Sequence, residues 1–157
     1  MNLGPDAPEA QMSSDTSVGE KPMSEELTGV EQSAFVGLEW RSVRLDGDHL
    51  TVTIDFSRPL GKEAQASVYL IGYRPDVPFA EMPKLHVQVG ALGHKTYDQQ
   101  KELPADAIQV VRQPTSITLR VPLSLLGNPQ KALIDAQTYL GDLPLDSVAW
   151  RVLELQK

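Results

Sequence analysis

Tyr69, Tyr73 and Arg74, with Tyr97 further along, are the residues best placed by type to hold a ligand. A sugar-binding surface sets aromatic planes against the apolar faces of pyranose rings, and polar or charged side chains hold the hydroxyls. Tyr69 and Tyr73 alternate with Ile71 on one side of a strand pattern, and Tyr97 neighbours Asp98 and Gln99. The competing reading is that these rings simply pack.

Other constellations are weaker. Gly90-Ala-Leu-Gly93-His94-Lys95-Thr96 has the look of a phosphate-cradling loop. That motif needs four residues between its glycines and a lysine directly after the second. Here two residues intervene, His94 displaces the lysine, and no helix pattern follows, so the segment reads as a structural turn. His49, His86 and His94 are scattered, without the i, i+4 spacing of a zinc site. Asp46 with Asp48, and Asp142 with Asp146, fall in turns, which leaves room for a structural calcium. No other cofactor and no metal ligand set is expected. Twenty-one acids permit many carboxylate pairs, but a glycosidase pair must face across a cleft. No G-x-S-x-G elbow accompanies the serines. The expectation is a chain without an active site.

The charge is uneven. Residues 1–33 carry seven acids against Lys21, a net of −6, whereas the rest is close to neutral. A neutral body has no electrostatic footprint for nucleic acid or anionic lipid. With no cysteine, disulfides, thiolate metal sites and cysteine nucleophiles are ruled out, and the compartment stays open. No run approaches the ~18 apolar residues of a membrane span. The first residues are acids and prolines where a secretory signal needs a basic and then an apolar stretch.

The elements that must position the candidates are strands. Residues 1–33 are expected to be a disordered acidic tail or linker, because isolated apolar residues cannot offset ordering entropy. Residues 34–157 are expected to form one all-β domain, an antiparallel β-sandwich of jelly-roll or immunoglobulin-like type. Order should begin near Phe35, with a strand to Leu45 and a hairpin at Asp46-Gly47. Leu50, Val52, Ile54 and Phe56 then face inward and Thr51, Thr53 and Asp55 outward. Residues 66–73 are apolar on both faces, which predicts a central strand. A proline-marked loop, 75–83, precedes a strand over 85–91; residues 97–101 are polar and indeterminate. Strands follow over 108–112 and 116–121, and Pro122 ends the second. Ser124-Leu-Leu-Gly127 suits one helical turn. Residues 132–140 have helix propensity, yet they alternate, and strand is the reading adopted. Gly141, Asp142 and Pro144 predict a loop, and residues 147–155 a closing strand, with Trp40 and Trp150 in the core.

Leu119-Arg-Val-Pro-Leu-Ser-Leu-Leu-Gly127 resembles a segment of family 9-like carbohydrate-binding modules and related DOMON-like sandwiches. There an outward strand ends in a similar proline-marked corner before a late pair of strands. Trp150-Arg-Val-Leu-Glu-Leu155 is similar to the closing strand of such a module. The resemblance implies a sandwich, while the ligand-binding tryptophans of that family find no counterpart among these residues.

Three functions follow. The first is a non-catalytic binding module, carbohydrate-binding and appended to a catalytic domain. The second is a protein-interaction module using residues 74–84 or an edge strand. The third is a small hydrolase.

Overall fold

The computed structural model describes residues 35–155, so the acidic tail expected over 1–33 lies outside the described residues. Alternation of apolar and polar residues builds eleven strands. They are β1 (Leu38–Asp46), β2 (His49–Phe56), β3 (Ala64–Tyr73), β4 (Lys84–Val89), β5 (His94–Asp98) and β6 (Lys101–Glu102). The later ones are β7 (Gln109–Gln113), β8 (Ser116–Pro122), β9 (Lys131–Leu140), β10 (Leu143–Ser147) and β11 (Arg151–Glu154). Among the described residues no helix is long and apolar enough to cross a membrane.

All pairings are antiparallel and make two packed sheets, ordered β1-β2-β8-β7 and β10-β9-β3-β4-β5-β6, with β11 beside β10 on the free edge of β9. Relabelled in chain order, these are the A-B-E-D and G-F-C-C′-C″ orders of a variable-type immunoglobulin sandwich, with β6 and β11 added. That settles the choice between jelly-roll and immunoglobulin-like architecture.

The core lies between the sheets. Leu50, Val52, Ile54, Leu119 and Val121 from one sheet and Val68, Leu70, Leu85, Val87 and Ile134 from the other are buried. Each contributes about 1.5–3 kcal/mol by leaving water. The start of β1 ties the two sheets together. Thr138 Oγ1 donates to the Val36 carbonyl at 2.6 Å, Leu38 N–H to Asp146 Oδ2 at 3.0 Å, and Trp40 Nε1–H to the Ala149 carbonyl at 2.8 Å.

The corner after β8 fits closely. Leu123–Leu126 forms a 3₁₀ turn closed by Gly127 at φ 74°, a left-handed position suited to glycine. The turn presses on β3 at Gly72, where a Cβ would sit 2.1 Å from the Leu126 carbonyl oxygen. Gly72 is therefore obligatory for the approach.

Several expectations need correction. Thr51 and Thr53 face away from the core but are buried, because β2 is flanked on both sides and neighbouring side chains cover them. Trp40 is half-buried at the sheet edge, and Trp150 is 51% exposed. The single closing strand is two, since pairing with β9 breaks between Ser147 and Arg151 and Trp150 sits in the break. Pro144 lies inside β10 rather than in a loop. Residues 97–101 resolve into the end of β5 and a tight turn into β6, with Gln99 and Gln100 at positive φ. The 132–140 segment is strand, as its alternation requires.

Candidate functional site

β3 has one face in the core, so Gln65, Ser67, Tyr69, Ile71 and Tyr73 must point out of the sandwich. The register of its neighbours extends this surface in rows that cross the sheet. One row runs Asp135 (β9), Tyr69 (β3), His86 (β4), Tyr97 (β5) and Glu102 (β6), each opposite the next. The row beside it runs Gln137, Ser67, Gln88 and Lys95. Toward the opposite end lie Leu133 with Ile71, then Lys131 with Tyr73. Tyr139 stands opposite Gln65. The four tyrosines of the chain therefore all occupy this one face.

The rings are stacked on each other. Tyr69 and His86 have centroids 4.4 Å apart at 16°, and Tyr97 follows His86 at 6.1 Å and 38°. One face of Tyr69 and one face of His86 are thus spent inside the row. His86 Nε2 lies 3.0 Å from Ser67 Oγ, and burial pushes the imidazole below its ordinary pKa, so it is neutral at pH 7. Asp135 is only 7% exposed, and burial pushes its carboxyl above the ordinary value. The Ala136 N–H and Gln137 Nε2–H, the latter donating at 3.4 Å, oppose that shift. The Tyr139 hydroxyl donates to Gln137 Oε1, and burial, with Tyr69 and Asp135 alongside, raises its pKa.

At the β4–β5 hairpin the same face opens into a shallow cleft of about 460 Å³, lined by Lys62, Gln65, Gln88, Leu92, His94 and Lys95 among others. The hairpin is closed by Gly90 N–H to Gly93 O at 2.9 Å. The segment that mimics a phosphate loop is therefore this turn. A second cleft, about 320 Å³, opens between the sheets around Phe56, Leu60, Ala91 and Ile117. Arg112 closes over it by donating to the Gly90 and Ala91 carbonyls at 2.8 and 2.7 Å.

The four residues singled out by type separate in the fold. Tyr69 and Tyr97 join the central row through His86, and Tyr73 lies on the same face one end away, with Lys131 Nζ 5.7 Å from its ring centroid. Arg74 is past the end of β3 and is bound to Asp76 at 2.9 and 2.6 Å and to the Gly127 carbonyl. That pairing holds the Asp76 carboxyl below its ordinary pKa and removes Arg74 from the row. His86, Asp135 and Gln137 enter the site through strand pairing, which no local pattern encodes.

The turn acids are dispersed. Asp48 pairs with His49 at 2.8 Å, Asp46 approaches Arg120 at 4.0 Å, and Asp146 accepts from backbone N–H groups of Leu38 and Ser147. Among the described residues no three His, Asp or Glu side chains gather as metal ligands do.

Fold and face together define an antiparallel, immunoglobulin-ordered sandwich with one polar-aromatic sheet face. No family model and no curated protein matches the chain.

Proposed function

We propose that this is a non-catalytic module that binds carbohydrate across the outer face of its larger sheet. The observation that carries this reading is the gathering of all four tyrosines with His86, Asp135, Gln137, Gln65 and Gln88 on that one surface. Such a surface offers hydroxyl, amide, imidazole and carboxylate heads in rows, matching a ligand rich in hydroxyls. The late-segment likeness to family 9-like and DOMON-like modules points the same way, and attachment to a catalytic domain would fit it.

The disposition of acids favours binding over hydrolysis. Glu102 stands four strands from Asp135, roughly 19 Å away at the usual strand spacing. Glu154 faces Lys131, four residues along β9 from Asp135 and therefore roughly 13 Å away. A glycosidase pair sits about 5–10 Å apart.

Titration with a panel of oligosaccharides, read by tyrosine fluorescence and calorimetry, tests the proposal. Saturable binding that is lost in a Tyr69→Ala, His86→Ala double variant supports it; no binding across the broad sugar classes overturns it.

A second reading is a protein-interaction module working through the Pro75–Pro83 loop. It rests on Phe79, 62% exposed on a loop that Gln99 holds in place by donating to the Met82 carbonyl at 2.7 Å. Recovery of a protein partner that Phe79→Ser abolishes, with no sugar bound, would favour it.

A further inference from the structure

We infer that the ligand of this face is an acidic glycan, whose anionic group is held by Lys62 and Lys95 at the β4–β5 hairpin cleft. The inference rests on the carbohydrate reading above and adds the charge of the sugar. Three observations carry it. The cleft is lined by two lysines, His94 and two glutamines, and no carboxylate is among its lining residues. Among the described residues neither Lys62 nor Lys95 has an ion-pair partner, whereas Lys131 is paired with Glu154 and Arg41 with Asp55. Arg44, Arg58, Lys101 and Arg151 are likewise without an ion-pair partner among the described residues, and what sets Lys62 and Lys95 apart is that they stand together beside a cavity with no carboxylate in its lining.

The third observation is continuity. Gln88 and Lys95 end the row that starts at Gln137 and passes Ser67, and both line the cleft, as does Gln65 next to Tyr139. A strand rise of about 3.3 Å per residue puts Gln65 roughly 13 Å from Tyr69 along β3. Lys95 lies only two residues from Tyr97 along β5, roughly 7 Å, so it is a ligand reaching from Tyr69 to the Gln65 end of the cleft that must be an oligosaccharide. Its neutral hydroxyls meet the amide and tyrosine heads, and its carboxylate or sulfate meets the ammonium groups. His94 Nε2–H donates to the Ala105 carbonyl at 3.2 Å, which turns that nitrogen away and leaves the lysines as the anion donors.

The test compares an oligogalacturonate, the same oligomer with its carboxyls reduced to alcohols, and a heparin oligosaccharide, each titrated into the full chain. The uronate is expected to bind roughly tenfold tighter than its reduced form, the gain of a charge-assisted hydrogen bond. Lys62→Ala with Lys95→Ala should erase that ratio. Lysine-dependent binding of heparin alone would also support the inference, with sulfate as the anion. Equal affinity for the charged and reduced oligomers, unaltered by the lysine changes, overturns it and leaves carbohydrate binding standing. No binding of any of the three, or of the neutral panel, overturns both.

Discussion

The two outer faces of the sandwich are built on the same alternation and are finished differently. On the smaller sheet, Thr53 and Thr118 pair their hydroxyls at 3.1 Å, Arg41 holds Asp55, and the surface carries no tyrosine. Several of its polar groups are consumed by each other or covered, while Glu39 and Arg44 stay exposed. On the larger sheet, tyrosines, amides and a nearly buried carboxylate line up across four strands, and two lysines stand unpaired at one end. A face that exists only to close a sandwich needs hydroxyls and ion pairs. A face with stacked rings, a desolvated acid and spare cations keeps polar groups in reserve, at a cost that a ligand can offset.

The largest effect should come from breaking the frame behind the second face. Gly72→Ala forces a Cβ against the Leu126 carbonyl, which is backbone and cannot swing aside. A loss of at least about 1–3 kcal/mol is expected, measured as a lowered urea midpoint. An unchanged midpoint would mean that the corner is looser than the structure shows. Next in size is Tyr69→Ala, which removes the ring stacked on His86 in the aromatic row. It should weaken sugar binding by roughly 2 kcal/mol, about 30-fold, with circular dichroism unchanged. The matched control is Thr53→Val with Thr118→Val on the opposite face, which removes both hydrogen-bond partners at once and should leave binding where it was. Equal losses from both changes would erase the distinction between the faces.

How far these faces could be seen in the chain follows from what alternation encodes. β2 and β8 are plain because each keeps a strict period of two, and β9 because that period outweighs the helix propensity of Ala132-Leu-Ile-Asp-Ala136. The same period puts Tyr69 and Tyr73 on one side of β3. Alternation says which side a residue takes within its strand, and nothing about which strand lies alongside. Asp135 and His86 reach Tyr69 only through the pairings β3–β9 and β3–β4, so the heart of the site was hidden. Trp150 shows the converse. Its apolar neighbours suggest a core strand, but the run falls where β9 changes partner from β10 to β11, and the ring is left half in solvent. Arg74 shares the tyrosines' stretch of sequence but not their strand. β3 ends at Tyr73, and Asp76 draws the guanidinium away.

A smaller change sharpens the contrast from the side of the closed face. Thr51 Oγ1 is buried there without a hydrogen-bond partner, as is Thr96 Oγ1 in the core of the larger sheet. Replacing a buried, unsatisfied hydroxyl by a methyl of the same shape removes a desolvation cost. Thr51→Val should therefore raise stability by about 1 kcal/mol, seen as a higher urea midpoint, without touching sugar affinity. A destabilised Thr51→Val would show that the hydroxyl is hydrogen-bonded in solution and that this face is less closed than its partner is open.

The finest distinction between the faces is in their response to pH. His86 titrates below its ordinary value in the folded chain, so the unfolded chain takes up its proton first as pH falls. Stability contributed by the neutral, stacked ring is therefore full above about 6.5 and is lost progressively as pH drops below that value toward the folded one. Asp135 has the opposite sign. Its folded value is raised, so the ionised carboxylate is a burden at neutral pH that is relieved as pH falls through that value. His86→Phe, which keeps a ring beside Tyr69, should flatten the loss on the acid side of pH 6.5. Asp135→Asn should be more stable than the parent at pH 7, with the advantage vanishing in acid. Thr118→Val on the smaller sheet should leave the pH profile of stability unmoved, because no titrating group is changed. If His86→Phe and Asp135→Asn give profiles parallel to the parent, those two groups are not desolvated by the face, and the polar reserve that separates it from its counterpart is absent.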